Sequence, residues 1–349
     1  MKNFYDFTLE TLTQTLEAEG FKAFNAKQVF QWVYQKNIRD FEAMSNLSKP
    51  LRAWLIEHIT LPQLTLHSHF VAPDETTKCA FVLSDREVIE TVLMHHNYGK
   101  SICVTTQVGC NMGCAFCASG LHKKTRNLSQ AEMILQVQGV IDLTGIKPTH
   151  IVVMGIGEPF DNFDHVMDFI DTVNSPYAYA IGKRHITVST SGLAPQIEAF
   201  GLRQTQVNLA ISLHAPNDAL RSKLMPINKK YPLKTLMKSV DHYHTLTNRR
   251  VTYEYIMIKD VNDSLKEANE LITLLKGKNA YVNLIPYNPV SEFSFECSEP
   301  AQIKRFYDAL MKAGINATTR KEKGEQVNAA CGQLRHQTLK EETHGLKNT

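Results

Sequence analysis

The sequence predicts an α/β fold: a partial, open (β/α)6 barrel behind a small N-terminal helical domain. Two patterns carry this expectation. In residues 1–60, Phe30, Val33 and Tyr34 recur at helical spacing, and Leu51, Trp54, Leu55 and His58 resume it after Pro50. From about residue 101 strands alternate with helices, the order that gives parallel strands joined by right-handed crossovers. Six such units are fewer than the eight of a closed barrel, so the barrel is expected to stay open. The 349 residues suffice for two or three domains. The expected divisions are a helical accessory domain at 1–62, a connecting β-hairpin at 63–97, the barrel with a C-terminal cysteine segment at 98–336, and a polar tail at 337–349.

The helical segment holds both tryptophans and has seven basic against seven acidic residues, which suggests a neutral unit with an aromatic core. Next, Phe81 and Leu83 precede Ser84-Asp85-Arg86, and Val88 and Glu90 to Met94 follow, a hairpin pattern. Barrel strands are expected at 101–106, 150–154, 185–189, 206–213, 251–258 and 280–285, with a seventh β-like segment at 315–320. Helices start at Ser129 with Glu132 and at Ser264 with Glu267, both capping-box patterns. Met133, Ile134, Val137, Val140 and Ile141 fall on one face of the first. In such folds the ligand sits at the carboxyl ends of the strands.

Composition excludes several classes. Hydrophobic residues at 43% and charged residues at 21% are ordinary globular values, and 17 Gly with 13 Pro are too few for a collagen-like or disordered chain. The net charge of +3 neither requires nor excludes a nucleic-acid partner. No basic-then-apolar leader is visible, and the longest apolar runs fall far short of the roughly 18–20 residues that span a bilayer. The seven cysteines are odd in number, and four fall between 103 and 117. Clustered cysteines of this kind suggest a reducing cytoplasm and metal or redox chemistry rather than structural bridges.

The motif Cys110-Asn-Met-Gly-Cys114-Ala-Phe-Cys117 follows the first barrel strand. Three thiolates can hold an iron–sulfur cluster and leave one iron open to a small molecule. Structural zinc competes, but it takes four ligands, and His122 is the only nearby candidate for the fourth. After the second strand comes Met154-Gly-Ile-Gly157-Glu158-Pro159, with glycines for close backbone approach to a ligand and Glu158 for an ammonium. Ser189, Ser212-Leu213-His214 and Asn288 lie at further strand ends. Each alone reads as a turn or cap residue; together they would line one rim. Cys331 lies beyond the last barrel element, between small residues and behind the basic Arg320, Lys321 and Lys323, while Cys103 lies on the first strand. A lone cysteine is by default a small buried hydrophobe. Two spare ones near one site suggest a redox pair.

The cysteine motif at the end of a first strand resembles the radical S-adenosylmethionine (SAM) superfamily. Further segments narrow that resemblance. Ile89-Glu90-Thr91-Val92, Cys103-Val-Thr-Thr-Gln, Met-Gly-Ile-Gly-Glu-Pro, Ile-Ser-Leu-His-Ala-Pro-Asn, Pro-Ile-Asn-Lys-Lys-Tyr, Asn-Leu-Ile-Pro-Tyr-Asn-Pro and Ala-Ala-Cys-Gly-Gln-Leu are similar to the RlmN family, within the RlmN/Cfr group, over nearly the whole chain. The resemblance implies a radical-SAM barrel and an enzyme making 2-methyladenosine in 23S rRNA, at the peptidyl transferase centre, and in tRNA beside the anticodon. It implies that Cys110, Cys114 and Cys117 ligate a 4Fe–4S cluster. Gly157, Glu158, Ser189, Ser212, Leu213, His214 and Asn288 would bind SAM. Cys331 would carry an S-methylcysteine intermediate, Cys103 would be its transient disulfide partner, and Glu90 would accept the proton. An external electron donor and thiol reductant are implied, with no membrane partner and a monomeric chain. Cys79 and Cys297 match no family role, and amides stand at Gln326 and Asn328 where the family carries acids.

The chemistry is consistent with two SAM molecules. Adenine C2 is electron-poor and cannot attack a sulfonium methyl as a ring nitrogen could, so a radical route through a methylated cysteine is implied. Two alternatives stand beside it: C8 methylation of the same rRNA adenosine, the Cfr activity, and a non-enzymatic iron–sulfur RNA-binding assembly factor. Basic residues in expected loops, among them Lys124, Arg126, Lys183, Arg249, Arg250 and Arg320, are candidate phosphate contacts.

Overall fold

The computed structural model describes residues 1–204, 206–320 and 332–334. Its centre is a ten-stranded sheet in which spatial order follows chain order. The strands are β1 (Thr65–Val71), β2 (Thr77–Val82), β3 (Val88–His96), β4 (Gly99–Cys103), β5 (His150–Val153), β6 (Ile186–Thr190), β7 (Asn208–Ser212), β8 (Val251–Met257), β9 (Ala280–Pro286) and β10 (Asn316–Thr319). β1 to β4 pair antiparallel, and β4 to β10 pair parallel.

Seven parallel strands leave six crossovers, so the expected (β/α)6 arrangement is present with the 315–320 segment as its closing strand. The crossovers use α4 (Gln130–Thr144), α5 (Phe163–Asn174), α6 (Ala194–Arg203), α7 (Asp218–Leu224) with α8 (Leu233–Thr247), α9 (Leu265–Leu275) and α10 (Pro300–Lys312). The start of α4 is a true capping box: Ser129 accepts from Glu132 N–H, and Glu132 accepts from Ser129 N–H at 2.9 Å. α9 differs. Ser264 accepts from Lys266 N–H, and its hydroxyl donates to Glu267, so the carboxylate reaches the side chain of the cap and not its backbone.

The hairpin segment holds three strands where the sequence suggests two. β1 carries no alternating apolar face: five of its seven residues are exposed. The segment is also no detached linker, since β3 pairs directly with β4 and extends the barrel sheet.

The N-terminal helices α1 (Leu9–Ala18), α2 (Phe24–Phe30) and α3 (Lys49–His58) enclose the expected aromatic core. Phe4, Tyr5, Phe30 and Tyr34 pack with ring centroids 5.1–5.9 Å apart. This core is continuous with that of the barrel. Tyr34 packs edge-on against Tyr179 at 5.2 Å, Gln130 Nε2 donates to Phe7 O, and Arg39 pairs with Asp142.

Candidate functional site

The carboxyl ends of β5 to β9 surround a cavity of about 900 Å³ counted to its open mouth, the size of a cofactor site. Cys110, Cys114, Cys117, Gly157, Glu158, Ser189, Ser212 and His214 all line it. The structure thus brings eight of the expected site residues to one wall-and-rim arrangement.

The cysteine loop is fixed by backbone bonds at both ends. Cys110 N–H donates to His122 O at 2.9 Å, Ala115 N–H to Leu224 O at 2.9 Å, and Ala118 N–H to Gly332 O at 2.8 Å. Gly109 at φ +74° makes the entry turn, where a Cβ would lie 2.3 Å from Lys123 O. Burial pushes the Cys110 thiol up to about 12 and Cys114 well above its ordinary value. Such thiols bind metal only as proton is released. Three thiols sharing one cavity suit a cluster with one open iron, whereas structural zinc takes four protein ligands.

Gly155 and Gly157 serve close packing of protein on protein. A Cβ at Gly155 would sit 2.6 Å from Thr105 Oγ1, and one at Gly157, at φ +110°, 2.7 Å from Gln107 Cβ. Glu158 lies between backbone donors: Oε2 accepts from Ser191 N–H at 2.7 Å and Oε1 from Phe160 N–H at 3.0 Å. Burial raises its pKa, and the Ser191 and Phe160 donors oppose the rise. Ser189 and Ser212, on neighbouring strands, lie hydroxyl to hydroxyl at 3.3 Å.

His214 sits at φ +56° with its ring edge-on to Phe116. Its Nδ1 accepts from Ile256 N–H at 3.1 Å, which leaves Nε2–H as a donor. Burial, with the nearby Arg221 cation, lowers its pKa to about 3, so the ring is neutral.

Four expected residues among the described ones do not line this cavity. Leu213 packs into the core and offers only backbone, its carbonyl accepting from Arg221 Nε. Asn288 is buried just beyond β9. Glu90 forms an ion pair with Lys78 at 2.9 Å. Its relation to Cys103 follows from register. Val92 pairs directly with Cys103 across β3 and β4, so Glu90, Val92 and Cys103 share a sheet face. Cys103 lines a second, smaller cavity that shares Cys117, Ser119, Arg320 and Gly332 with the first. Cys331 lies outside the described residues, as does the loop with Gln326 and Asn328; Gly332, its neighbour in sequence, lines both cavities.

Nothing in the sequence singles out Thr190, Ser191 and Glu254, which line the cavity wall, or Arg221, whose Nη2 holds Ser191 O and Ser212 O behind it. Glu254 accepts from Asn283 Nδ2 at 2.7 Å; burial raises its pKa, and Arg320 opposes that. Several candidate phosphate contacts are instead used within the fold. Arg126 holds Asp85 and Glu132, Lys124 holds Asp161, Lys183 holds Gln204, and Arg250 stacks over Tyr281.

An incomplete parallel barrel with a three-thiol cavity at its strand ends defines a radical-SAM enzyme. Comparison with known proteins agrees: residues 104–272 match the model of the Radical SAM superfamily, and residues 2–61 that of the ribosomal RNA large subunit methyltransferase N-terminal domain. The chain is 52% identical over 338 residues to a probable dual-specificity RNA methyltransferase RlmN of Spiroplasma citri, covering 96% of this chain and 97% of that one. It is 51% identical to the same-named protein of Listeria monocytogenes, covering 96% and 94%. A crystal structure of a radical SAM methyltransferase from Sphaerobacter thermophilus superposes with a TM-score of 0.90 at 42% identity, covering 96% and 99%. The chain belongs to the RlmN family. No helix among the described residues is long and apolar enough to cross a membrane.

Proposed function

We propose that this chain methylates C2 of adenosine in 23S rRNA and in tRNA, through S-methylcysteine at Cys331. The observation that carries it is the shared boundary of the two cavities: the cysteine-loop pocket and the Cys103 pocket meet at Cys117, Ser119, Arg320 and Gly332. A cofactor held in the first would therefore act next to Cys103 and to the residue that follows Cys331.

Cys110, Cys114 and Cys117 would hold a 4Fe–4S cluster, and Glu158, Ser189, Ser212 and His214 would orient SAM beside it. Bound there, the cofactors supply a methyl group and a deoxyadenosyl radical. The protein's own groups do the rest. His214 Nε2–H and the Ser189 and Ser212 hydroxyls offer uncharged polar contacts. Cys331 carries the methyl carbon to C2, and Glu90 takes the C2 proton as the unpaired electron of the adduct leaves, for which the oxidised cluster would be the acceptor. Cys103 thiolate attacks the Cys331 sulfur; the S–C bond electrons pass to carbon, which is protonated as the product methyl. The resulting disulfide needs two electrons and two protons from an external thiol before the next turnover. The enzyme works on cytoplasmic RNA, as a monomer.

The test is Cys331→Ala with methyl-labelled SAM under anaerobic conditions. Loss of labelled RNA with the cluster intact is expected. Retained RNA methylation would rule out the methylcysteine route, and a wild-type chain that binds RNA without methylating it would favour an assembly factor.

A further inference from the structure

Arg221, on α7, is fully buried. Its Nε donates to Leu213 O at 3.1 Å, Nη1 to Asn228 Oδ1 at 3.0 Å, and Nη2 to Ser191 O at 2.7 Å and Ser212 O at 3.1 Å. All four acceptors are neutral. Asp218, on the same helix, answers part of the charge from a distance, its carboxylate bonded not to Arg221 but to Asn228 Nδ2 and Leu233 N–H. A buried cation is expensive unless an anion answers it.

The cavity beside it gathers three cysteine thiols as well as the Glu158 and Glu254 carboxyls, which already have donors in Ser191, Phe160 and Asn283. α7 touches the cysteine loop directly, Leu224 O accepting from Ala115 N–H, the residue after Cys114. Ser191 and Ser212, whose carbonyls hold Nη2, line the same cavity as the three cysteines. We propose that Arg221 is the buried counter-charge of the thiolate-held cluster and raises its reduction potential. The inference rests on the cluster assignment above, and not on the RNA chemistry. Reduction adds one negative charge to the cluster, and a fixed cation in a low-dielectric wall favours that state. Arginine suits the position because its fork ties the ends of β6 and β7 together while keeping its charge.

The test is an anaerobic potential titration of the reconstituted full-length chain without SAM, followed by electron paramagnetic resonance. In Arg221→Gln the ratio of reduced to oxidised cluster at a fixed potential is expected to fall at least about tenfold, about 59 mV for one electron. Asn228→Asp, made together with Asp218→Asn so that the amide again donates between the two side chains, places a carboxylate against Nη1 and should shift the ratio the same way. Arg221→Lys keeps the charge and should stay near wild type. An unchanged ratio in cluster-loaded Arg221→Gln and in the double variant overturns the proposal. Should Arg221→Gln fail to load iron, the double variant against Arg221→Lys decides. A wild-type chain that loads no iron would overturn the cluster assignment itself, a different result from an unshifted potential.

Discussion

Lys78 Nζ lies 2.9 Å from Glu90 Oε1, and each side chain is only 5% exposed. Lys78 pairs with Val92 across β2 and β3, and Val92 with Cys103 across β3 and β4, so the ion pair and the thiol share one face. A carboxyl group paired with a lysine, on the same sheet face as the thiol proposed to react, is positioned as a base. Glu90→Gln is therefore expected to lower RNA methylation by on the order of 10²-fold with iron content unchanged. Wild-type turnover in that variant would remove Glu90 from the mechanism.

Breaking the same pair should also cost stability. Lys78→Met is expected to lower the unfolding free energy by about 3 kcal/mol, the low end for a broken buried pair. Chemical denaturation measures it. The Lys78→Met, Glu90→Gln double variant should be more stable than Lys78→Met alone.

Gly157 tests the packing of the strand ends. Its φ of +110° and the 2.7 Å approach of a Cβ to Gln107 leave no room for a side chain. Gly157→Ala should cost about 1–3 kcal/mol and weaken SAM binding, read by thermal unfolding and isothermal titration.

His214 gives a pH dependence. Its folded pKa is about 3, below the ordinary value of 6.5, so between those values the unfolded chain binds the extra proton. The His214 contribution to stability is thus complete above about pH 6.5 and is lost as pH falls toward 3. His214→Asn should flatten the acid limb of the stability curve over that window. An acid limb identical to wild type would contradict the buried neutral ring.

The sequence displayed the elements whose signals are local. The Ser129 box, the apolar face of α4 and the strand periods of the barrel all appear where expected. The cysteine loop did too, because three ligands within eight residues need no tertiary information. β1 escaped notice because its exposed face has no apolar alternation. Arg221 and Glu254 escaped because a polar residue reads as surface until topology buries it. The glycines of 155–157 were visible, but not their role: the sequence suggested room for a ligand, and the fold uses them against Thr105 and Gln107.

The most direct test is nucleoside mass spectrometry of 23S rRNA and tRNA after anaerobic reaction of the reconstituted enzyme with methyl-labelled SAM. Labelled 2-methyladenosine is expected in both RNAs. Labelled 8-methyladenosine alone, or unlabelled RNA from a cluster-loaded enzyme, would contradict it.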